Sequence, residues 1–398
     1  MRIDPHGEGS APEAAPVGDR SKTKAALTVC IVLLVGVFLL LVGEGSVRLR
    51  HWLRHGNLWS VEETFHIDGA TGLRIPTPNA VLGHVRINSL GFRSPELTVP
   101  KPPSAVRLAF LGGSTTYCAE VSSNEATWPH LVWQRLQGAF RDTPLDYVNA
   151  GVPGYGLDSV LRSFEHRVRP LHPEVIVIYE ATNDLSFDTY ELAKSRGLVF
   201  TRPDESRSWL SQHSLFWFLA VKNLIILKRQ RDPDTRPDKL TFDPHQLSRG
   251  FRSRLTELVR ASQAAAPIVA VATFSPRLRR NQSPDEQRKA AVTSLYYMPY
   301  MNIEGLLNGF EEYNRVIREV ARDTGALLID GEHRIPPDAR HYADSVHFTD
   351  AGSRVMADRV AEALLAAPTV RALAVRSFRA GLEHDAPPTF GVRTEAVP

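Results

Sequence analysis

Residues Ala105–Thr115 read AVRLAFLGGST, an apolar run that stops abruptly at two glycines and two hydroxyl residues. A short apolar run bounded by turn residues has the character of a buried strand. The glycines let the backbone turn sharply at its end. The same phrasing recurs along the chain. Leu145–Val148 is a short strand followed by Asn149-Ala150-Gly151-Val152-Pro153-Gly154. Glu174–Tyr179 (EVIVIY) is a strongly β-branched strand, followed by Ala181-Thr182-Asn183-Asp184. Pro267–Phe274 (PIVAVATF) and Ala326–Ile329 supply two more. Helices are expected over Trp128–Phe140, Ser159–Val168, about 305–322 and about 350–365. Helices alternating with apolar strands predict an α/β protein, a three-layer α/β/α sandwich around a five-stranded parallel sheet.

In an open parallel sheet, ligands collect outside the carboxyl ends of the strands. The polar blocks fall there. Ser114 sits after a strand and before an expected helix, where free backbone N–H groups favour negative charge. It reads as a nucleophile, as a simple helix cap, or as part of a phosphate cradle. Against the cradle, no Gly-Lys-Ser/Thr ending and no nearby lysine are present. In the second block a glycine offers an unobstructed N–H; Pro153-Gly154 also has ordinary turn chemistry. Asn183 carries a side-chain amide that donates without changing charge. A local Asx turn is its plainer role.

The last block is Asp344-Ser345-Val346-His347. Spacing i, i+3 brings both ionisable side chains to one face if the segment turns. A carboxylate on one ring nitrogen fixes the tautomer and leaves the other free to take a proton. A surface Asp–His pair is the alternative. Thr349 or Asp350 is expected to cap the next helix rather than to act in chemistry. A serine, two oxyanion donors and a His–Asp pair together make the parts of a serine esterase.

His333 and His341 lie nearby but match no strong metal-ligand spacing, so no metal is expected there. Cys30 lies in an apolar run and Cys118 just after Ser114, contexts too different for a disulfide. Cys118 is a weaker nucleophile candidate than Ser114, being worse placed at the turn. The 398-residue chain has 43% hydrophobic and 23% charged residues and a formal net charge of +3. That composition fits a globular protein and is too mildly basic to argue for nucleic acid.

Ala25 to Gly43, AALTVCIVLLVGVFLLLVG, carries no charge. At about 1.5 Å per residue it spans roughly 28 Å, close to a hydrocarbon core of about 30 Å. Signal peptides usually have a shorter apolar region of ~7–15 residues and a small-residue cleavage site, and neither is found here. A transmembrane helix over 25–43 is expected, uncleaved, with the N-terminus inside and the following domain outside.

Residues 1–24 read as a disordered tail. Residues 44–103 form a juxtamembrane and lead-in segment, at first basic and Trp-containing (Trp52, Trp59), later suited to short strands or a hairpin. The main domain covers 104–367, with an insertion at about 185–250. The insertion holds Trp209 and Leu215-Phe216-Trp217-Phe218-Leu219. It reads as an amphipathic helix and loop, or as a lid or substrate wall. Residues 276–304, with Tyr296, Tyr297, Met298, Tyr300 and Met301, read as irregular. Residues 368–398 are expected to be a C-terminal helix and a disordered tail.

These four blocks, in this order, resemble the SGNH hydrolases, the GDSL-like esterase and lipase superfamily, over about residues 105–366. The resemblance implies the flavodoxin-like fold of that superfamily. It implies Ser114 as nucleophile, Gly154 rather than Gly151 as the oxyanion glycine, and Asn183 as the oxyanion asparagine. Asp344 becomes the orienting acid and His347 the general base. Two departures stand out: Gly-Gly-Ser-Thr replaces Gly-Asp-Ser, and Ala181 stands where glycine is usual. Ile87-Asn88-Ser89-Leu90-Gly91-Phe92-Arg93 looks like the lead-in of bacterial membrane-anchored relatives. The expected activity is hydrolysis of an ester-bearing small molecule, lipid or glycan without cofactor. The alternatives are O-acyl transfer to an envelope polysaccharide, or glycan binding by a catalytically idle domain.

Overall fold

The computed structural model describes residues 20–55, 65–198, 209–231 and 239–385. A long helix, α1 (Arg20–His55), comes first. Its stretch Leu27–Arg50 is long and apolar enough to cross a membrane. The helix therefore begins before, and continues past, the expected 25–43, taking in the basic segment with Trp52. Trp59 and most of the expected N-terminal tail lie outside the described residues.

Two small antiparallel hairpins follow, β1 (Phe65–Ile67) with β2 (Arg74–Pro76), and β3 (Val81–Leu82) with β4 (Val85–Arg86). They are part of the folded body. Tyr155 Oη donates to the Arg74 carbonyl (2.9 Å), and the Asn149 amide donates to Ser94 Oγ (2.8 Å). Arg93 is buried, and its guanidinium donates to the carbonyls of Tyr117 (2.9 Å) and Cys118 (2.5 Å) and to Asn124 Oδ1 (3.0 Å). One buried cation thus ties the lead-in to the loop after Ser114.

The main sheet has the order β6-β5-β7-β8-β9, all parallel. Its strands are β5 (Val106–Gly112), β6 (Leu145–Asn149), β7 (Val175–Tyr179), β8 (Ile268–Ala272) and β9 (Leu327–Ile329). These are the five runs read from the sequence. Strands β5, β7 and β8 are buried along their whole length, as expected of strands covered on both faces. The charge inside β5 is answered by a fork: Arg107 donates from Nε (2.8 Å) and Nη2 (2.6 Å) to both carboxylate oxygens of Asp146.

The connecting helices are α2 (Ser114–Tyr117), α3 (Trp128–Ala139), α4 (Leu157–Ser163), α5 (Thr182–Ser195), α6 (Trp209–His213), α7 (Leu215–Arg231), α8 (Pro244–Gln263), α9 (Pro284–Tyr297), α10 (Ile303–Thr324), α11 (Asp350–Ala366) and α12 (Pro368–Asp385). Helix α4 passes through a π turn at Phe164–Val168, so the expected Ser159–Val168 helix is present in modified form. Thr349 caps α11, accepting from the Gly352 amide. Helix α9 corrects the irregular reading of 276–304. It starts with a capping box in which Ser283 and Glu286 each accept the other's backbone N–H, with Pro284 next in line. The aromatic run of the insertion is also helical, as α7. Residues 199–208, 232–238 and 386–398 lie outside the described residues.

Chain order against spatial order reverses at β5, with β6 on one side and β7 on the other. The crevice at the carboxyl ends of these strands is the topological switch point. Ser114, Gly154 and Asn183 all follow strands that border it.

Candidate active site

Ser114 begins α2 directly after β5. The two preceding glycines are required by close approach. A Cβ on Gly112 would stand 2.3 Å from the Tyr179 carbonyl, and one on Gly113 would stand 2.5 Å from both Asn183 Nδ2 and Glu180 Oε2. The Trp128 indole donates to the Thr115 carbonyl (3.1 Å) and braces the turn from α3.

His347 Nε2 lies 2.8 Å from Ser114 Oγ, and His347 Nδ1 lies 2.8 Å from Asp344 Oδ2. The other Asp344 oxygen accepts the amides of Val346 and His347, both at 2.9 Å. The i, i+3 spacing is therefore realised as a tight turn that leaves the carboxylate little freedom to swing. In the neutral ring the carboxylate holds the proton on Nδ1, which leaves Nε2 as the acceptor facing Ser114. Ser345, between them, accepts the amides of Thr293 (3.0 Å) and Ser294 (3.2 Å) and fastens the segment to α9.

Burial opposes a charge on His347. The Glu120 carboxylate, Asp344 and Glu180 outweigh it and push its pKa up to about 9. Glu120 Oε1 stands 3.9 Å from His347 Nδ1, with 31% of its side chain accessible. Burial raises the Asp344 carboxyl, but the hydrogen bond from His347 outweighs it and leaves the pKa lowered.

Asn183 lies in the first turn of α5. One N–H of its amide donates to the Tyr155 carbonyl (2.7 Å), and Nδ2 has a second hydrogen to offer the cavity. Its backbone N–H (3.1 Å) and that of Ala181 (3.0 Å) donate to Glu180 Oε1. Burial first, and Asp184 second, push the Glu180 carboxyl up to about 8. Asp184 serves the same corner structurally: it accepts from the Leu157 amide (2.9 Å) and from Arg254 Nε (3.0 Å). Gly154 has φ +85°, a conformation that side-chain-bearing residues rarely adopt, and nothing lies within 4 Å of where a Cβ would be. Its constraint is conformational, and it stands open to the cavity.

Ser114, Gly154, Asn183 and His347 line one cavity of about 510 Å³. Asp344 stands behind His347. Phe187 of α5, Tyr297 of α9 and Met298 supply apolar wall to the same cavity. Arg74 from the lead-in hairpin also lines it. All five residues named from the sequence thus meet at one place. Glu120, Glu180 and Arg74 were not named. Nothing local marks Glu120, whose relation to His347 depends on two distant loops. Glu180 had a signal in the carboxylate ending an otherwise apolar strand.

Cys118 is buried, its thiol pushed up to about 12 by burial, and Sγ donates to the Thr115 carbonyl (3.3 Å). That closes it to nucleophilic chemistry. His341 pairs with Asp338 (2.8 Å). Among the described residues no group of three or more His, Cys, Asp or Glu side chains is arranged to hold a metal ion.

A serine, a histidine and a carboxylate thus stand in line at the switch point of a parallel α/β sheet, an arrangement suited to ester hydrolysis. Residues 110–355 match the GDSL-like lipase/acylhydrolase family, and the chain belongs to it as an ester-hydrolysing enzyme. No curated protein matches the chain. Similar solved structures include the acetylxylan esterase Axe2 from Geobacillus stearothermophilus, at 16% identity and TM-score 0.40, covering 67% of this chain and 96% of that one. Another is LAE5, an α/β hydrolase from the metagenome of Lake Arreo, Spain, at 17% identity and TM-score 0.39, covering 65% and 94%.

Proposed function

We propose that this protein is a membrane-anchored serine esterase that hydrolyses a carboxylic ester, an O-acyl group of an envelope glycan or a lipid ester, through an acyl-enzyme. The observation that carries this reading is the unbroken chain from Asp344 through His347 to Ser114, with 2.8 Å at each link. His347 Nε2 takes the Ser114 proton as Oγ attacks the ester carbonyl. The backbone N–H groups of Ser114 and Gly154 and the Asn183 amide receive the developing oxyanion. His347 then returns the proton to the leaving alcohol. Water attacks the acyl-serine as His347 takes its proton; His347 then hands that proton to Ser114 Oγ as the acyl–oxygen bond breaks and the acid departs. Asp344 holds the ring in the correct tautomer and balances its transient charge.

Helix α1 is the anchor in this reading, with the catalytic domain on the extracytoplasmic side. The detergent-solubilised protein offered an aryl acetate should show a burst followed by steady turnover, both absent in Ser114→Ala. Equal rates in the two proteins would overturn the proposal. Product analysis with and without a glycan acceptor separates hydrolysis from acyl transfer.

A further inference from the structure

Helix α7 is tied at its first turn to the end of the apolar run of α1. Glu44 accepts from Ser214 Oγ (2.7 Å) and from the amides of Leu215 (3.1 Å) and Phe216 (2.9 Å). A Cβ on Gly43 would stand 3.2 Å from the Phe216 ring, and Arg48 donates to the His213 carbonyl (3.3 Å). The carboxylate that ends the uncharged run 25–43 therefore caps α7 and fixes where it starts, just past the last uncharged turn of α1.

One face of α7 packs inward, with Lys222 Nζ 5.7 Å from the ring centroid of Tyr296 on α9. The other carries an apolar stripe at helical spacing, with Trp217 39%, Leu224 68% and Leu227 50% exposed. Trp209 and Leu210 on α6 extend it, at 69% and 48%. The apolar part of α7, Leu215–Ile225, is too short to cross a bilayer.

We infer that α7 lies in the head-group boundary of the bilayer crossed by α1, with Trp217, Leu224 and Leu227 facing lipid. The inference rests on the anchor reading, because continuity with α1 is what names the occupant. It sets α9, which supplies Thr293, Ser294 and Tyr297 to the cavity, next to the membrane surface.

The test uses the full chain with Cys30→Ser, in vesicles of phosphatidylcholine and phosphatidylglycerol. Single cysteines carry an environment-sensitive fluorophore, and nitroxide lipids serve as quencher; the buried Cys118 stays unlabelled. Leu33→Cys reports the span, Leu224→Cys the stripe, and Asp142→Cys an exposed position ahead of the edge strand β6. The inference expects Leu33 and Leu224 labels to be quenched several-fold more than Asp142. Quenching at Leu33 with an aqueous Leu224 overturns it and leaves the anchor standing. No quenching at either position sinks both readings. A Leu224 label shielded from water but not reached by nitroxide lipid, with Leu224→Cys crosslinking between copies, assigns the stripe to self-association and also overturns it.

Discussion

The carboxyl edge of the sheet and the α1–α7 corner follow opposite plans. At the sheet edge the polar groups are answered from within the fold. Asp344 is held by two amides and an imidazole, Asn183 by Tyr155 and Glu180, and the lead-in by the buried Arg93. At the corner, Glu44 caps the first turn of α7, and large apolar side chains face outward. Under the proposed anchoring, water is the solvent of the first region and a bilayer that of the second. Chemistry should therefore depend on the edge and be nearly indifferent to the corner when a soluble ester is used.

The largest effect should come from Ser114→Ala, a loss on the order of 10⁶ in kcat for an aryl ester, measured with the protein folded as judged by circular dichroism. Asp344→Asn keeps the turn but fixes the wrong tautomer, and should cost on the order of 10⁴ in kcat. Asn183→Ala removes one oxyanion donor and should cost on the order of 10²–10³ in kcat with KM little changed. A large rise in KM with kcat intact would place Asn183 in ground-state binding instead.

A smaller effect is expected in the pH profile. His347 works as a base only when neutral, and its pKa is pushed up to about 9. The kcat/KM should therefore rise with pH through that region. Glu120→Gln removes a neighbouring negative charge, so the imidazole loses its proton more readily and the rising limb moves to lower pH. The move should be modest, since Glu120 is partly solvated. The smallest effect is Leu224→Glu, which should leave aryl acetate turnover in detergent unchanged. A large loss there would mean that α7 acts on the site through α9 and would erase the contrast between the regions.

Most of the sheet and three of the site positions were legible because each strand is a local apolar run and Ser114, Gly154 and Asn183 follow three of them within a few residues. The pairing of Asp344 with His347 was legible because both partners lie within one turn. Helix α9 was not. Its buried face uses Ala290, Ala291 and Ser294, which give little periodic contrast, although Ser283 and Glu286 spelled its cap. Glu120 was illegible because its proximity to His347 is tertiary. Helix α7 is apolar on both faces, so sequence alone does not say which face meets protein; Glu44 and Tyr296 decide it.

The central claim is that Ser114 is the nucleophile activated by His347. Its most direct test is labelling of the full-length protein with a fluorophosphonate, followed by peptide mapping of the adduct. The account predicts one adduct, on Ser114, abolished by Ser114→Ala and strongly slowed by His347→Ala. No adduct on the folded protein, or an adduct that persists in Ser114→Ala, would contradict it.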